Sequence, residues 1–450
     1  PGLQVGAVWR GKGLKEAVVD EVSVYNQELS PLEILQIFNP TEYKVILSQS
    51  PEQLTSEQKG SLKKLYLNAH SKAYQETMNA VIAKRKAYSD SVEVIPELMI
   101  MKDRAQPRPT YILTRGEYSQ HGEEVFPNTP ESVFPMPDNL PKNRLGLAEW
   151  LIDKKHPLTA RVTVNRFWQS YFGKGLVATS EDFGNQGQLP SHPELLDWLA
   201  VEFQDLGWDV KAMQRLIVTS ATYRQASKKR PDLEEKDPEN ILLARGPSVR
   251  LPAELIRDQA LAASGLLNRE VGGKSVFPYQ PEGLWKVNGA HYPQDTGKNL
   301  YRRSLYTVWK RSVHHPTMAI FDAPDHSVSV SKRQETNTPL QALALLNDPT
   351  FVEASKVLGE QMSRSSDPSQ GVVTAFRKLT GRKPLEKELQ LLLDLREKEH
   401  QKFKTDPAKL KGWLTIGEYR ISPTLDPSLV AANAVTASAI LNSDAFLTKR

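Results

Sequence analysis

Cysteine is absent from all 450 residues. Disulfides, thiolate metal sites, iron–sulfur clusters, covalently attached c-type haem and cysteine nucleophiles are therefore excluded from this stretch of chain. Also lacking is any run of about 18 uncharged apolar residues, the length a membrane-spanning helix needs. Charge of one sign is scarce too: 58 Lys and Arg against 53 Asp and Glu leave +5 spread along the chain, too weak a field to argue for nucleic acid as a partner. Gly-x-Gly-x-x-Gly and phosphate-binding loops, the Gly-x-Ser-x-Gly nucleophile elbow and the His-Glu-x-x-His zinc motif are missing as well. The chain opens at Pro1 without an initiator Met or a signal-peptide pattern, and reads as a fragment or processed product with its targeting information upstream.

What is present is globular in character. Hydrophobic residues make up 39% and charged residues 25%, with 25 glycines and 31 prolines, enough apolar material for a packed core and, at roughly 150 residues per domain, about three units. Residues 14–25 are rich in β-branched side chains and alternate apolar with polar, which predicts a strand with one buried face. Ser30, Pro31 and Glu33 then spell a capped helix start, running to about Phe38. From Thr55 to Tyr88 there is no proline, and Leu62, Leu65, Ala69, Ala73 and Met78 fall at helical spacing, predicting a polar helical arm or spacer. Residues 92–95, 98–101 and 111–115 read as strands of a small sheet, and five prolines between 127 and 141 predict an irregular linker.

Beyond it the periodicity is helical: 144–155, 159–172, 192–206, 210–225, 252–267, 339–346, 350–362, 370–379, 385–404 and 428–441. The expected fold is mainly α. The expected divisions are 1–40, 41–90, 91–143 and 144–450. A Gly/Pro/aromatic-rich insertion over 272–331 carries Trp285, His291, Trp309, His314, His315 and His326, and loops on helical scaffolds are where function concentrates.

Several motifs carry a family resemblance. They are Arg-Val-Thr-Val-Asn-Arg-Phe-Trp-Gln from Arg161, Phe-Gly-Lys-Gly-Leu-Val from Phe172, Glu-Asp-Phe-Gly-Asn-Gln-Gly from Glu181 and Leu-Pro-Ser-His-Pro-Glu from Leu189. Further on come Arg-Leu-Pro-Ala-Glu-Leu-Ile-Arg-Asp from Arg250, Tyr-Arg-Arg-Ser-Leu-Tyr from Tyr301, Thr-Asn-Thr-Pro-Leu-Gln from Thr336 and Ala-Ile-Leu-Asn-Ser-Asp-Ala-Phe ending at Phe446. In this order they resemble the planctomycete-type C-terminal domain of unknown function from large proteins that also hold a cytochrome c-like segment. Residues 1–40 resemble the closing strand and terminal helix of a LamG (concanavalin A-like) jelly-roll. The resemblance implies an extracytoplasmic setting, periplasmic or secreted, with other domains of the same polypeptide as partners and a c-type haem in an upstream segment rather than in this chain. It supplies no activity. After Pro324 the chain departs from the pattern, with His326, Ser329 and Glu335 where the family often has arginine, cysteine and arginine.

The candidate ligand-binding residues are Arg161, Asn165 and Trp168 at i, i+4 and i+7 on one helical face, with Arg166 beside them, and Arg303 and Trp309 of a basic-aromatic ladder expected as a strand over 304–309. A guanidinium, an amide and an indole suit a sugar. The plainer alternative is an interior network in which Arg161 or Arg166 pairs with Asp182 and Trp168 is core. Ser191, Pro193 and Glu194 read as a helix start, with His192 structural. Should the domain be catalytic, the candidates are His192, Asp182, His315 and Asp322, acting with Arg303 on a carbohydrate-like substrate as a hydrolase or as an oxidoreductase feeding the cytochrome segment. His315, Asp322 and His326 supply two nitrogens and an oxygen, a weak metal candidate with undiagnostic spacing, and no metal or other cofactor is expected within the chain. Glu254, Arg257 and Asp258 read as a helical salt-bridge set. Lys332 and Arg333, just before the helix opened by Pro339, hint at an anionic partner. The first expectation is thus an accessory binding or scaffolding domain, glycan-associated. The arm at 55–88 is the expected docking element if the domain serves assembly.

Overall fold

The computed structural model describes residues 22–25, 28–104, 106–228 and 230–449 and the backbone of 7–8 and 12–13, apart from the side chains of residues 287 and 288. The chain divides into two compact units, 1–125 and 126–450. In the first, β1 (Ala7–Val8) and β2 (Lys12–Gly13) pair antiparallel, followed by α1 (Pro31–Phe38), α2 (Pro40–Ser48), α3 (Ser56–His70) and α4 (Lys72–Glu93). The start of α1 is as its sequence predicts: Ser30 Oγ accepts from Glu33 N–H and the Glu33 carboxylate accepts from Ser30 N–H at 2.6 Å, a reciprocal capping box. Neither α3 nor α4 buries a single residue, in keeping with their polar composition. A hairpin of β3 (Thr110–Leu113) and β4 (His121–Val125) closes the unit.

Two strand expectations fail here, at 92–95 and 98–101, and a third falls mostly outside the described residues. Most of 14–25 lies outside the described residues, and Val22–Tyr25 is exposed and not strand. Residues 92–93 continue α4, and Leu98–Met101 is irregular and almost wholly exposed. Alternation predicts a strand only where a neighbouring strand takes up the backbone hydrogen bonds, and Pro96 with Pro107 and Pro109 leaves that stretch none.

The second unit begins with the irregular proline-rich linker, pinned where Trp150 Nε1 donates to Phe134 O at 2.9 Å. Then come α5 (Arg144–Leu151), α6 (Thr159–Phe172), α7 (Pro193–Asp205), α8 (Val210–Thr219), α9 (Pro231–Lys236), β5 (Val249–Arg250), α10 (Ala253–Ser264), α11 (Pro316–Ile320), α12 (Pro339–Asn347), α13 (Pro349–Ser363), α14 (Pro368–Thr380), α15 (Glu386–Thr405), α16 (Pro407–Thr415), α17 (Pro427–Leu441), α18 (Asp444–Leu447) and β6 (Thr448–Lys449). The β5 and β6 strands pair antiparallel. Eighteen helices against these short strands, among the described residues, make the fold mainly α. Four helices share one start: Asp348, Asp367, Asp406 and Asp426 each precede a proline and cap the N–H groups behind it. Proline presets the first helical φ while the carboxylate accepts from an otherwise orphaned donor.

Two cores result. In one, α6, α7 and α8 enclose Val164, Trp168, Leu196, Leu199, Phe203, Met213 and Ile217. In the other, α10, α13, α14 and α17 enclose Ile256, Phe351, Leu358, Phe376 and Ile440. At its centre α13 buries twelve of its fifteen residues, so it is covered on every face. Gly359 makes this possible, because a Cβ there would lie 2.5 Å from Ala434 N and 2.7 Å from Val430 O on α17. The expected strand over 304–309 is instead a 3-10 turn at Ser304–Tyr306 with one bridge, Val276 to Thr307. Asp258 prevents the extended ladder by accepting both Ser304 N–H and Ser304 Oγ at 2.8 Å.

Candidate functional site

A groove of about 660 Å³ opens beside α6, the size range of small-ligand sites. Its floor is apolar, built from Trp168, Phe172, Leu176 and Leu243, and its rim carries Gln188, Ser191, Ser248 and Glu335. Trp168 stacks on Phe172 with ring centroids 4.2 Å apart. The walls are loops held by buried side chains. Asn165, fully buried on α6, donates from Nδ2 to Val177 O at 3.0 Å and accepts Val177 N–H at 2.9 Å, as a neighbouring strand would. Gly175 runs over that amide, where a Cβ would come within 2.6 Å of Nδ2. Gly173 ends α6 at φ +81° and packs its bare Cα against Val249 of β5, a conformation and a space that glycine alone accepts. Across the groove Asn240 binds both the N–H and the C=O of Arg245, while Asp237 accepts from Ile241 and Leu242 N–H at 2.8 Å. Buried anchors of this kind preorganise a site.

The named candidates divide around this groove. Trp168 lies in its floor and Asn165 directly beneath its wall. Arg161 is elsewhere, donating to Asp197 at 2.7 Å and to Pro157 O at 2.8 Å, and Arg166 is exposed. Neither pairs with Asp182, whose Oδ1 accepts Gly184 N–H at 2.7 Å. His192, not Ser191, is the N-cap of α7. Ser191 is diverted because its N–H and Oγ both go to Leu176 O, at 2.8 and 3.3 Å, closing the groove loop, and His192 Nδ1 rests 3.0 Å from Ser191 Oγ.

The insertion brings other groups together. Arg303 is exposed, while Arg302 is buried, with NH1 and NH2 on the carbonyls of Lys274, Glu270 and Gly272 and its guanidinium 3.8 Å above the Tyr306 ring. Trp309 donates to Asp325 O at 3.1 Å and stacks on His326 and His314 at 4.4 and 5.9 Å. Asp322 accepts from Arg250 NH2 at 2.7 Å and from Thr336 N–H at 2.8 Å. Burial alone would raise its carboxyl, but the Thr336 N–H, the Arg250 guanidinium and the Thr336 hydroxyl outweigh it and hold it below the usual range. His315 is buried with Nε2 3.1 Å from Tyr279 O, and burial lowers its pKa against the opposing pull of Asp348. His315, Asp322 and His326 thus have three separate sets of neighbours. Among the described residues no group of three His, Asp or Glu is arranged to hold a metal.

The charge set also resolves differently from its sequence reading. Arg333 pairs with Glu254 in a fork at 2.7 and 3.1 Å, so its charge before α12 is met by a carboxylate and requires no anionic ligand. Arg257 is buried and binds the carbonyls of Leu300 and Arg302 at 2.7 and 2.8 Å, leaving Asp258 3.8 Å away.

One cluster carried no sequence signal beyond its place in a helical pattern. On α13 Glu353, Lys356 and Glu360 are all buried. Tyr301 OH donates to Glu353 Oε1 at 3.0 Å, Tyr419 N–H donates to the same oxygen at 2.6 Å, and Tyr419 OH donates to Glu360 at 2.8 Å. Lys356 Nζ gathers the carbonyls of Leu414, Ile416 and Tyr419 at 3.3, 2.5 and 2.8 Å. Burial and then the Glu353 charge push Tyr279 up to about 12 and raise Tyr301 as well. These bonds fasten residues 414–419 to α13.

Fold and groove together define a mainly helical protein with a preorganised surface site and immobilised internal charges. The family described as "Protein of unknown function (DUF1553)", PSD1, matches residues 143–396. That is more than half of the chain, and the chain belongs to this family. No curated protein and no solved structure matches it.

Proposed function

We propose that the chain is a binding and scaffolding domain whose groove beside α6 holds a glycan. The groove itself carries this reading: an aromatic and aliphatic floor, a rim of amide and hydroxyl groups, and walls fixed in advance. Sugars present apolar C–H faces and a periphery of hydroxyls, and such a surface matches both. Three of the four candidate catalytic groups are spent on internal bonds, Asp182 on Gly184, Asp322 on Arg250 and Thr336, and His315 beside Tyr279, while the fourth, His192, rests against the Ser191 hydroxyl. A hydrolase would need two free carboxylates about 5 to 9.5 Å apart on the groove, and Glu239 there is paired with Lys174.

The wider setting is proposed from the motif resemblance: a periplasmic or secreted multidomain protein of planctomycete type, with a cytochrome c-like segment and a LamG-like region as neighbours in the same polypeptide. Thermal unfolding of the full chain against neutral oligosaccharides tests the groove, since a ligand that binds only the native state raises the midpoint saturably. Ser248→Trp, which fills the rim, should abolish the rise while leaving the unliganded midpoint in place. A panel of oligosaccharides that leaves the wild-type midpoint unmoved refutes the reading.

A further inference from the structure

Among the described residues, four ionisable side chains line the groove: Lys174, Glu239, Arg245 and Glu335. Three of them are engaged. Lys174 Nζ sits 2.5 Å from the Glu239 carboxylate. Arg245 donates from NH1 to Asp237 O at 3.1 Å and from NH2 to Pro238 O at 2.7 Å, so its fork is taken up by the wall. The fourth, Glu335, is exposed on the rim and has no hydrogen-bond or ion-pair partner among the described residues. Behind them, the Asn240 amide is engaged by the N–H and C=O of Arg245, and both oxygens of the Asp237 carboxylate accept backbone N–H groups. Among the described lining residues, the strongest free polar group that a ligand meets is therefore an acceptor carrying negative charge.

Resting on the groove reading above, we infer that this site selects an uncharged, hydroxyl-rich chain and turns away a sulfated or carboxylated one, with Glu335 reading the ligand's hydroxyls. A carboxylate has two oxygens and only accepts. Two neighbouring O–H groups of a sugar ring satisfy both oxygens at once, and hydrogen bonds to an ionised group are about twice as strong as neutral ones. A sulfate brought to the same place meets like charge, with Lys174 already held by Glu239 and the Arg245 fork already on carbonyls. Discrimination then comes from repulsion as much as from attraction.

The test is calorimetric titration of the full chain at low ionic strength with cellohexaose and with O-sulfated cellohexaose. The expected result is saturable binding of the neutral chain and binding at least about tenfold weaker for the sulfated one. Glu335→Gln should weaken the neutral ligand about tenfold and narrow the gap between the two, at an unchanged thermal midpoint because the side chain has no partner to lose. Equal or tighter binding of the sulfated chain overturns the inference while leaving the groove as a glycan site, as does a Glu335→Gln variant that binds both ligands as the wild type does. Failure of both ligands to bind overturns the groove reading and this inference with it.

Discussion

Asn165 illustrates how a residue that looks like a ligand contact becomes a structural one. Its amide meets both polar groups of Val177 in a fully buried position, so Asn165→Ala orphans an N–H and a C=O together. At about 1–3 kcal/mol for each unsatisfied group, the variant should lose roughly 2–6 kcal/mol in urea denaturation. A loss below about 1 kcal/mol would show that the loop does not depend on this amide. His156 makes a second case. Its Nδ1 accepts from the N–H groups of Leu158 and Thr159 at 3.2 Å, where α6 begins, and burial lowers its pKa from the ordinary 6.5 against a weaker pull from Asp153. A histidine whose folded pKa is depressed binds fewer protons in the native state than in the unfolded state. Stability is therefore complete above the unfolded value near 6.5 and falls as pH drops below it. His315 is shifted in the same direction by burial and adds to the slope. The wild type should have a lower urea midpoint at pH 5.5 than at pH 7.5, with a smaller difference in His156→Gln; equal midpoints at the two pH values would contradict the assignment.

At the level of elements, ten helices of the second unit were legible in the sequence, whereas α9, α11, α16, α18 and the strands were not. Residues 159–172 and 428–441 sit almost residue for residue on α6 and α17, because an apolar stripe at helical period and a proline start are local properties. The expected helix over 210–225 stops at Thr219, where Ser220 Oγ takes the Tyr223 N–H and opens a turn. Strand expectations at 98–101 and 304–309 failed because a strand is defined by a partner that the local pattern cannot supply. The groove was legible only at Trp168. Lys174, Gln188, Asn240 and Glu335 are joined by folding from distant loops, and each alone is an ordinary surface residue. Gly359 offers a test at this scale. Gly359→Ala would drive a methyl into the α17 backbone at Ala434, and overpacking of this kind typically costs about 1–3 kcal/mol. The variant's urea midpoint should fall accordingly, whereas an unchanged midpoint would mean that α13 and α17 separate freely.

At the scale of the whole molecule, the first unit contains a conspicuous weak point between α4 and β3. The described residues of 96–109 form neither helix nor strand, and Leu98, Met99, Ile100 and Met101 are almost fully exposed, the state in which proteases find a backbone easiest to bend into their clefts. Limited proteolysis should cut first in this stretch and release a large fragment that contains 126–450 and unfolds at the midpoint of the intact chain's main transition. First cleavage in the groove loops would refute this. Within that larger unit, Lys356 and the carbonyls of Leu414, Ile416 and Tyr419 have a consequence of their own. Carbonyls that converge in this way are what a protein ordinarily offers to a metal cation, and here the chain supplies the cation itself on a four-carbon leash. An ion so tethered cannot be diluted away or stripped by a chelator, so the turn it organises needs no free cation from solution.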